Sequence, residues 1–215
     1  MPPPRKPRGK APAAPKREAA PPPRRLRVIA GSMRGRRLVC PPGEQVRPTK
    51  DFVREAVFSA LDSRGAIVDA NVLDLYAGTG ALAIEALSRG AAQALLVERD
   101  RAALDAIDRN LDQLDLAGRA RVQRADVASV LAGPPPREAP FHLVIADPPY
   151  DTDDASIAGL LAGLTAPGWL AADAMIVVER GAGAVIEVPE GLRACWERTF
   201  GDTLVVFVDV LDPPI

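Results

Sequence analysis

The sequence of 215 residues is 47% hydrophobic and 26% charged, with a mean hydropathy of +0.01, which is ordinary for one soluble domain with a tail. No apolar run approaches the roughly 18 residues that span a bilayer, and no apolar signal-peptide stretch is present, so we expect neither a membrane protein nor a secreted one. Cys40 and Cys195 stand far apart without CxxC spacing. We therefore expect free thiols in a reducing cytoplasm, and no metal site.

Charge is distributed unevenly along the chain. Residues 1–50 hold 14 of the 27 basic side chains but only 2 of the 28 acidic ones, so their net charge is +12, while that of residues 51–215 is −13. A basic segment on an acidic body is typical of proteins that bind a polyanion, most often a nucleic acid. For residues 1–24 alone, a tail that only aids solubility remains an equal alternative.

The first 25 residues contain 9 of the 22 prolines and show no apolar periodicity. They cannot bury enough surface to offset the entropy of ordering, so we expect residues 1–24 to be disordered. From Leu26 onward, L-R-V-I-A and R-L-V-C flank a Gly-containing turn, which predicts two short strands. This turn presents Arg34, Arg36 and Arg37 together.

An amphipathic helix is predicted after Arg47, with Thr49 as its N-cap. The apolar residues at helical spacing are Phe52, Val53, Ala56, Val57, Ala60 and Leu61. We expect this face to pack on the main domain. The predicted organisation is a tail (1–24), a basic hairpin with a helix (25–65) and a catalytic domain (66–215).

Strands and helices then alternate. The predicted strands are residues 72–76, 94–98, 120–123 and 142–146, and the predicted helices lie near 80–89, 100–116, 126–132 and 153–164. This alternation predicts an α/β, Rossmann-like, mostly parallel sheet. The last predicted strands, 174–179, 193–199 and 203–210, have no helix between the final two, so an antiparallel hairpin closes the sheet.

A glycine-containing loop follows the first strand of the sheet. The string L-D-L-Y-A-G-T-G-A-L-A places Ala77, Gly78, Thr79 and Gly80 where the backbone must turn sharply and can approach a ligand. The string also fits the dinucleotide pattern G-x-G-x-x-G/A, so NAD and S-adenosylmethionine compete as ligands, and an ordinary tight turn is the simpler alternative. Asp74 favours S-adenosylmethionine, because a carboxylate repels a pyrophosphate and attracts an ammonium or sulfonium group.

Two further acids follow predicted strands. Glu98 ends the second strand and can accept hydrogen bonds from both ribose hydroxyls of a nucleoside. Asp126 follows the third strand and can accept an adenine amino proton, although it could equally cap the next helix.

The most informative motif is Asp147-Pro148-Pro149-Tyr150, directly after the apolar strand H-L-V-I-A. The prolines fix the backbone, so the Asp147 carboxylate and the Pro148 carbonyl can both accept from one planar exocyclic amine. Two acceptors favour the pyramidal amine, whose lone pair can attack a methyl donor. Tyr150 offers a face on which an extruded base can stack.

Other chemistries lack their reactive groups. The single histidine, His142, lies inside an apolar run and is predicted to be packed rather than to act as a base. No G-x-S-x-G occurs, and neither Tyr76 nor Tyr150 has a lysine four residues later, so hydrolase and reductase readings are not supported. Trp169 and Trp196 are predicted to belong to the core.

The order of four segments resembles a known family. R-V-I-A-G-S-M-R-G-R-R-L, R-P-T-K-D-F-V-R-E-A-V-F, the glycine loop and D-P-P-Y together look like the bacterial RsmD family, which methylates N2 of one guanine in small-subunit ribosomal RNA. The resemblance covers nearly everything from Arg27 onward. Residues 1–24 depart from the family pattern.

The resemblance implies a class I methyltransferase fold, S-adenosylmethionine, and RNA contacts by the basic N-terminal region. Its predicted RNA-binding residues are Arg34, Arg36, Arg37 and Arg47. By the same resemblance, Asp147, Pro148 and Tyr150 match the catalytic tetrapeptide, Gly78 and Gly80 match the cofactor loop, and Glu98 matches the ribose acid.

We therefore expect a cytoplasmic, monomeric, metal-free enzyme that methylates guanine N2 in 16S ribosomal RNA within an assembling small subunit. A DNA adenine-N6 or cytosine-N4 methyltransferase is the near alternative, but the chain lacks a second domain of the size needed to read a DNA sequence. A non-catalytic RNA-binding assembly factor is the alternative from another class. The intact set of Asp74, Glu98 and D-P-P-Y argues against it.

Overall fold

The computed structural model describes residues 26–41 and 48–211, which form a seven-stranded sheet flanked by helices. The helices are α1 (Pro48–Asp62), α2 (Ala81–Ser88), α3 (Arg101–Gln113), α4 (Val127–Leu131) and α5 (Asp154–Leu164). The strands are β1 (Asn71–Leu75), β2 (Gln93–Glu98), β3 (Ala120–Arg124), β4 (Phe141–Ala146), β5 (Leu170–Gly181), β6 (Leu192–Phe200) and β7 (Thr203–Val210). No helix within these described ranges is long and apolar enough to cross a membrane.

The sheet has the strand order β3-β2-β1-β4-β5-β7-β6. The first five strands in this order are parallel, and β7 pairs antiparallel with both β5 and β6. The predicted parallel sheet with a closing hairpin is therefore confirmed, and Gly201-Asp202 forms the predicted turn. His142 is packed as predicted, since its Nδ1 accepts a hydrogen bond from the backbone N–H of Asn71.

Strand order reverses between β1 and β4. The chain runs from β1 outward through β2 to β3 and then returns to the other side of β1 as β4. In open α/β sheets this reversal separates the loops at the carboxyl ends of the two central strands and leaves a crevice between them. The glycine loop and the D-P-P-Y segment leave these two strands, so the topology brings them to one crevice.

The N-terminal segment shares the core of the sheet. Val28 and Leu38 are buried in one cluster with Val57, Phe58 and Leu61 of α1 and with residues of α2 and β2. The other face of the sheet packs α4 and α5, with Trp169 completely buried. The predicted buried face of α1 is wrong at one position: Phe52, predicted to pack inward, is 60% exposed, whereas Phe58 is buried.

The predicted pair of N-terminal strands is reduced to one bridge, between Arg27 and Arg37. The chain does reverse, but the backbone N–H groups of Ile29 and Ala30 bond to the carboxylate of Glu85 on α2, at 2.7 and 3.0 Å. Because these donors are used by α2, the two segments cannot extend into a ladder.

Of the other N-terminal predictions, one is wrong and two fall on residues that the structure does not describe. Helix α1 begins at Pro48, so Thr49 lies inside the helix rather than at its N-cap. The predicted tail 1–24 and the predicted RNA-binding Arg47 lie outside the described residues.

Glu85 is the anchor of the N-terminal segment, and its removal should be costly. The side chain is fully buried and also pairs with Arg89 Nε at 2.8 Å. We expect Glu85→Ala to lower the free energy of unfolding by about 3 kcal/mol or more, since it leaves two backbone donors and the Nε of Arg89 without their acceptor, although Arg89 Nη1 keeps its pair with Asp62. Chemical denaturation measures the change. Glu55→Ala, at an exposed position of α1, should stay within about 0.5 kcal/mol of the parent chain.

Candidate active site

A cavity of about 520 Å³ opens at the carboxyl edge of the sheet, at the reversal between β1 and β4. That volume lies within the usual range for small-molecule sites. The residues of the glycine loop, the ends of β2 and β3, the D-P-P-Y segment and the first turns of α1 all line it. The cavity wall carries six carboxyl side chains, Asp51, Glu98, Asp100, Asp126, Asp147 and Glu179, and three cationic ones, Lys50, Arg54 and Arg99.

The glycine loop forms the floor of the cavity. Ala77, Gly78 and Thr79 line it, whereas Gly80 precedes α2 with φ of +75°. A Cβ at position 80 would lie 3.0 Å from the Leu96 side chain, so this position requires glycine both for its backbone conformation and for close helix–strand packing. At Gly78, φ is +57° and a Cβ would meet only the Tyr76 carbonyl, at 3.9 Å. The side facing the cavity is thus left open.

Glu98 is held rigidly by backbone donors. Its Oε2 accepts from the N–H of Gly78 at 2.8 Å, and its Oε1 accepts from the N–H groups of Arg99 and Asp100 at 2.7 and 2.8 Å. A carboxylate has about four acceptor positions, so these three bonds leave acceptor capacity for a ligand hydroxyl, and the predicted hold on the ribose stays a prediction. The bond to Gly78 also places a negative charge where a dinucleotide pyrophosphate would need a backbone donor, which disfavours NAD.

Asp74 does not line the cavity. Its side chain is completely buried beneath the loop, and Oδ2 accepts from the N–H of Ala83 in the first turn of α2 at 3.0 Å. Its Oδ1 is buried without a hydrogen-bond donor among the described residues. Burial raises the pKa of Asp74 to about 7, with the charges of Asp147 and Glu98 acting in the same direction. Asp74 therefore supports the glycine loop from its buried side, through the first turn of α2.

Asp126 takes the capping role that was the alternative for it, and its contact with an adenine amino group stays a prediction. It caps α4, since its Oδ1 accepts from the N–H of Ala128 at 3.0 Å, and it lines the cavity. Its Oδ2 pairs with Arg99 at 3.0 Å on the exposed rim. An acceptor for an amino group thus lies on the same wall as Glu98.

The D-P-P-Y segment forms the opposite wall. Asp147 is one-third exposed, and its Oδ2 accepts from Lys50 Nζ at 3.2 Å. No described residue donates to the carbonyl of Pro148, while the carbonyl of Pro149 accepts from the N–H of Thr152 at 3.0 Å. The Tyr150 ring is 60% exposed at the cavity mouth, so it can offer a face to an aromatic ligand.

Sequence reasoning missed three residues of this site. Lys50 and Arg54 come from α1, and Glu179 comes from the carboxyl end of β5, beside Asp147. Glu179 carried the same signal that identified Glu98, an acid at the end of an apolar parallel strand. Lys50 and Arg54 carried only an i, i+4 relation, which is common on exposed helix faces.

The predicted RNA-binding turn does not reach the cavity. Arg34, Arg36 and Arg37 are exposed, but the turn packs on the last residue of α2: Ser32 N–H donates to the Ser88 carbonyl at 2.8 Å. Helix α2 begins at the cavity and has eight residues, so the turn lies roughly 12 Å away along the helix axis.

One buried side chain connects the N-terminal segment to the loop. Asn110 of α3 is fully buried, and its Nδ2 donates to the carbonyls of Val39 and Thr79 at 3.0 and 2.9 Å. Its Oδ1 accepts from the Val39 N–H at 2.7 Å. The segment that carries the exposed arginines is thereby tied to the cavity floor.

Comparison with known proteins places this geometry in context. A family model described as "Conserved hypothetical protein 95" matches residues 26–209. The protein named ribosomal RNA small subunit methyltransferase D in Escherichia coli (strain K12) is 44% identical over 158 residues, covering 72% of this chain and 74% of that protein.

Solved structures agree with the fold. The yhhF protein of Escherichia coli superposes with a TM-score of 0.74 at 38% identity, covering 86% of this chain and 98% of that one. The rRNA methyltransferase aviRa of Streptomyces viridochromogenes, at 20% identity and a TM-score of 0.59, covers 80% and 88% and shares the fold. The predicted fold class is therefore confirmed.

Glu179 should make the stability depend on pH. Burial, reinforced by the charge of Asp147, raises its pKa to about 8 from an ordinary 4.5. The folded protein then binds this proton more tightly than the unfolded chain does. The free energy of unfolding therefore falls as the pH rises from the ordinary pKa of 4.5 to the raised pKa of about 8. Relative to the parent, Glu179→Gln should gain on the order of 2 kcal/mol in unfolding free energy between pH 5 and pH 9. Denaturation at both pH values tests this.

The matched control is Glu187→Gln, an exposed carboxyl on the loop that follows β5. Its pH dependence should parallel that of the parent protein. If Glu179→Gln also parallels the parent, the Glu179 proton is not bound more tightly in the folded state.

Proposed function

Because the chain belongs to the RsmD family of ribosomal RNA methyltransferases, we propose that it transfers a methyl group from S-adenosylmethionine to the N2 amine of a guanine in small-subunit ribosomal RNA. Family membership supports methylation of ribosomal RNA. The methyl donor, the methylated atom and the ribosomal particle that serves as substrate are what we propose. An assembling small subunit is the proposed substrate, acted on in the cytoplasm by a monomer.

The observation that carries the proposal is the convergence of two motifs on one cavity. The loop with Gly78 and Glu98 forms one wall, and Asp147 and Tyr150 form the opposite wall, across the strand-order reversal. A methyl transferase needs a donor site and an acceptor-amine site that share an open space, because reaction in line requires the reacting atoms to be about 3 Å apart.

The residues present fit S-adenosylmethionine. Glu98 would hold one ribose hydroxyl, Asp126 the adenine amino group, and the open side of Gly78 would admit the ligand's backbone close to the loop. The excess of carboxyl groups on the wall suits a ligand with ammonium and sulfonium charges. When bound, this cofactor supplies an electrophilic methyl group. It has no pyrophosphate to be repelled by the Glu98 charge at the loop.

The D-P-P-Y wall would bind the guanine amine, which is the nucleophile of the proposed reaction. We infer that the Oδ1 of Asp147 and the carbonyl of Pro148 accept the two N2 protons, which orients the nitrogen lone pair toward the cavity floor. Tyr150 stacks on the extruded base and keeps it at the mouth. The Asp147 carboxylate would take up the N2 proton that the amine releases on methylation.

Methylation of an amino group in DNA is the second candidate function. Its only support is the D-P-P-Y tetrapeptide, which DNA amino-methyltransferases also use. The family match over residues 26–209 favours RNA, because it includes the N-terminal segment as well as the catalytic motifs.

Replacement of Asp147 should abolish most of the chemistry. We expect Asp147→Ala to lower kcat on the order of a hundredfold or more, about 3 kcal/mol, because an acceptor matched to the reacting amine is lost. Tritium transfer from S-adenosylmethionine to naked ribosomal RNA, partly assembled small subunits and DNA, followed by nucleoside analysis, measures kcat and identifies the methylated base.

Asp151→Ala is the matched control, since it removes an exposed carboxyl four residues further along. It should retain kcat, and both variants should bind S-adenosylmethionine as the parent does in calorimetry. Near-normal turnover of Asp147→Ala, or methylation of a DNA base in preference to guanine, contradicts the proposal.

The exposed arginine turn should contribute to RNA affinity rather than to turnover. Replacing Arg34, Arg36 and Arg37 together by alanine should reduce the slope of log affinity against log salt by about 2 to 3, at most one unit for each phosphate contact. The kcat at saturating RNA should change little, because the turn lies roughly 12 Å from the cavity floor. Filter binding and methylation across a salt series measure both quantities. An unchanged slope with a reduced kcat would show that the turn does not bind phosphates.

A further inference from the structure

Three carboxyl groups converge where β1, β4 and β5 end. Asp74 and Glu179 are almost completely buried, and Asp147 lines the cavity together with Glu179, whereas Asp74 does not reach it. The charge of Asp147 raises the pKa of both of the others, so the three groups repel one another. Neighbouring carboxylates that repel one another in a buried place need a compensating cation.

Helix α1 supplies the cations. Lys50 and Arg54 lie one turn apart, and both face this cluster. Arg54 is buried and already donates to the Arg27 carbonyl at 2.7 Å and to Asp51 at 3.2 Å. Lys50 alone reaches the tetrapeptide, with its Nζ at 3.2 Å from Asp147 Oδ2. Burial lowers the pKa of Lys50, but the charge and hydrogen bond of Asp147, together with the charges of Glu179 and Tyr150, raise it above its ordinary value.

The contact divides the carboxylate between two tasks. Lys50 Nζ occupies Oδ2, whereas Oδ1 has no hydrogen-bond donor among the described residues. One oxygen is therefore fixed by the protein and the other is available to a ligand amine. Lys50 is also the only lysine after residue 16, in a chain that otherwise uses arginine for its cations. A compact ammonium can pair with one carboxylate oxygen without covering the second, which a bidentate guanidinium would tend to do.

We propose that Lys50 is a positioning residue for the methyl transfer: its ammonium fixes Oδ2 of Asp147, so that Oδ1 is held in place to accept from the amine. This inference rests on the function proposed above and adds a residue from outside the sheet domain. It makes the N-terminal helix a part of the catalytic apparatus and not only a packing element.

The proposal concerns what orients the Asp147 carboxylate. The charged and titratable groups that face the Lys50–Asp147 pair are Asp51 and Arg54 on α1, Asp74 on β1, Tyr150 after β4 and Glu179 on β5. Three of these are carboxyl groups, which repel a neighbouring carboxylate, and Arg54 opposes them. Removing Lys50 leaves Asp147 facing this cluster without its direct cation. Oδ2 is then no longer held, and Oδ1 is no longer kept in place for the amine proton.

Lys50→Met tests the proposal by separating turnover from RNA binding. We expect kcat to fall about tenfold or more, while the KM for the RNA substrate stays within about threefold. Lys50→Arg keeps the charge but can cover both carboxylate oxygens, so it should not recover the parent kcat. Arg109→Met, which removes one exposed cation from α3, controls for net charge and should keep the parent kcat.

The Lys50 side chain is half exposed, so Lys50→Met should fold, and its melting temperature and its calorimetric affinity for S-adenosylmethionine should match the parent values. A parent-like kcat in Lys50→Met overturns the proposal. An increase in KM alone also overturns it and assigns the ammonium to an RNA phosphate. If Asp147→Ala is inactive in either case, the proposed function stands while the role of Lys50 fails. If the parent transfers no methyl group to any RNA or particle, both fail together.

Discussion

The reversal of strand order between β1 and β4 is the constraint on which the site depends. Parallel strands on both sides of this point send their following loops in opposite directions, so a crevice opens without any side chain having to be removed from the core. The glycine loop and the tetrapeptide are 69 residues apart in sequence, between Gly78 and Asp147, yet they form the two walls of one cavity. Neither motif could form a two-substrate site by itself.

Carboxylates near this crevice serve the fold and the ligand site together. Glu98 fixes the loop through the Gly78 N–H, Asp74 satisfies a donor of α2 from below, and Asp126 caps α4. Each would cost stability if buried without a partner, and each is stabilised by backbone N–H groups that helix starts leave unpaired. The same bonds immobilise the oxygens, which reduces the entropy lost when a ligand binds. Asp74 and Glu179 are less well compensated, and their raised pKa values record the cost.

The fold was largely predictable because its signals are local. Continuous apolar runs for parallel strands and a two-residue turn at Gly201-Asp202 predicted the order of elements and the closing hairpin, both confirmed. The predicted N-terminal pair of strands is shortened to one antiparallel bridge, because the Glu85 side chain, 55 residues beyond Ala30, takes a backbone donor that a longer ladder would need. The facing of α1 was wrong at Phe52, since that ring meets Phe200 edge-on at 6.0 Å on the surface of the closing hairpin. Such long-range contacts leave no periodic trace in the sequence.

For the site itself, the sequence identified residues that follow strands and missed those that arrive from elsewhere. Glu179 could have been found by the rule that found Glu98, but Lys50 could not, because only the packing of α1 beside the cavity gives this residue a role. The same packing bears on the proposed binding of RNA. Residues 51–215 are acidic, so under that proposal the phosphates are met by the basic N-terminal segment, whose exposed arginines lie about a helix length from the cavity floor. Asn110 ties the Val39 end of that segment to the Thr79 carbonyl of the loop. A free nucleotide would meet the acidic wall without the arginines, so the proposed function favours a folded RNA that spans this distance and places one extruded base at Tyr150.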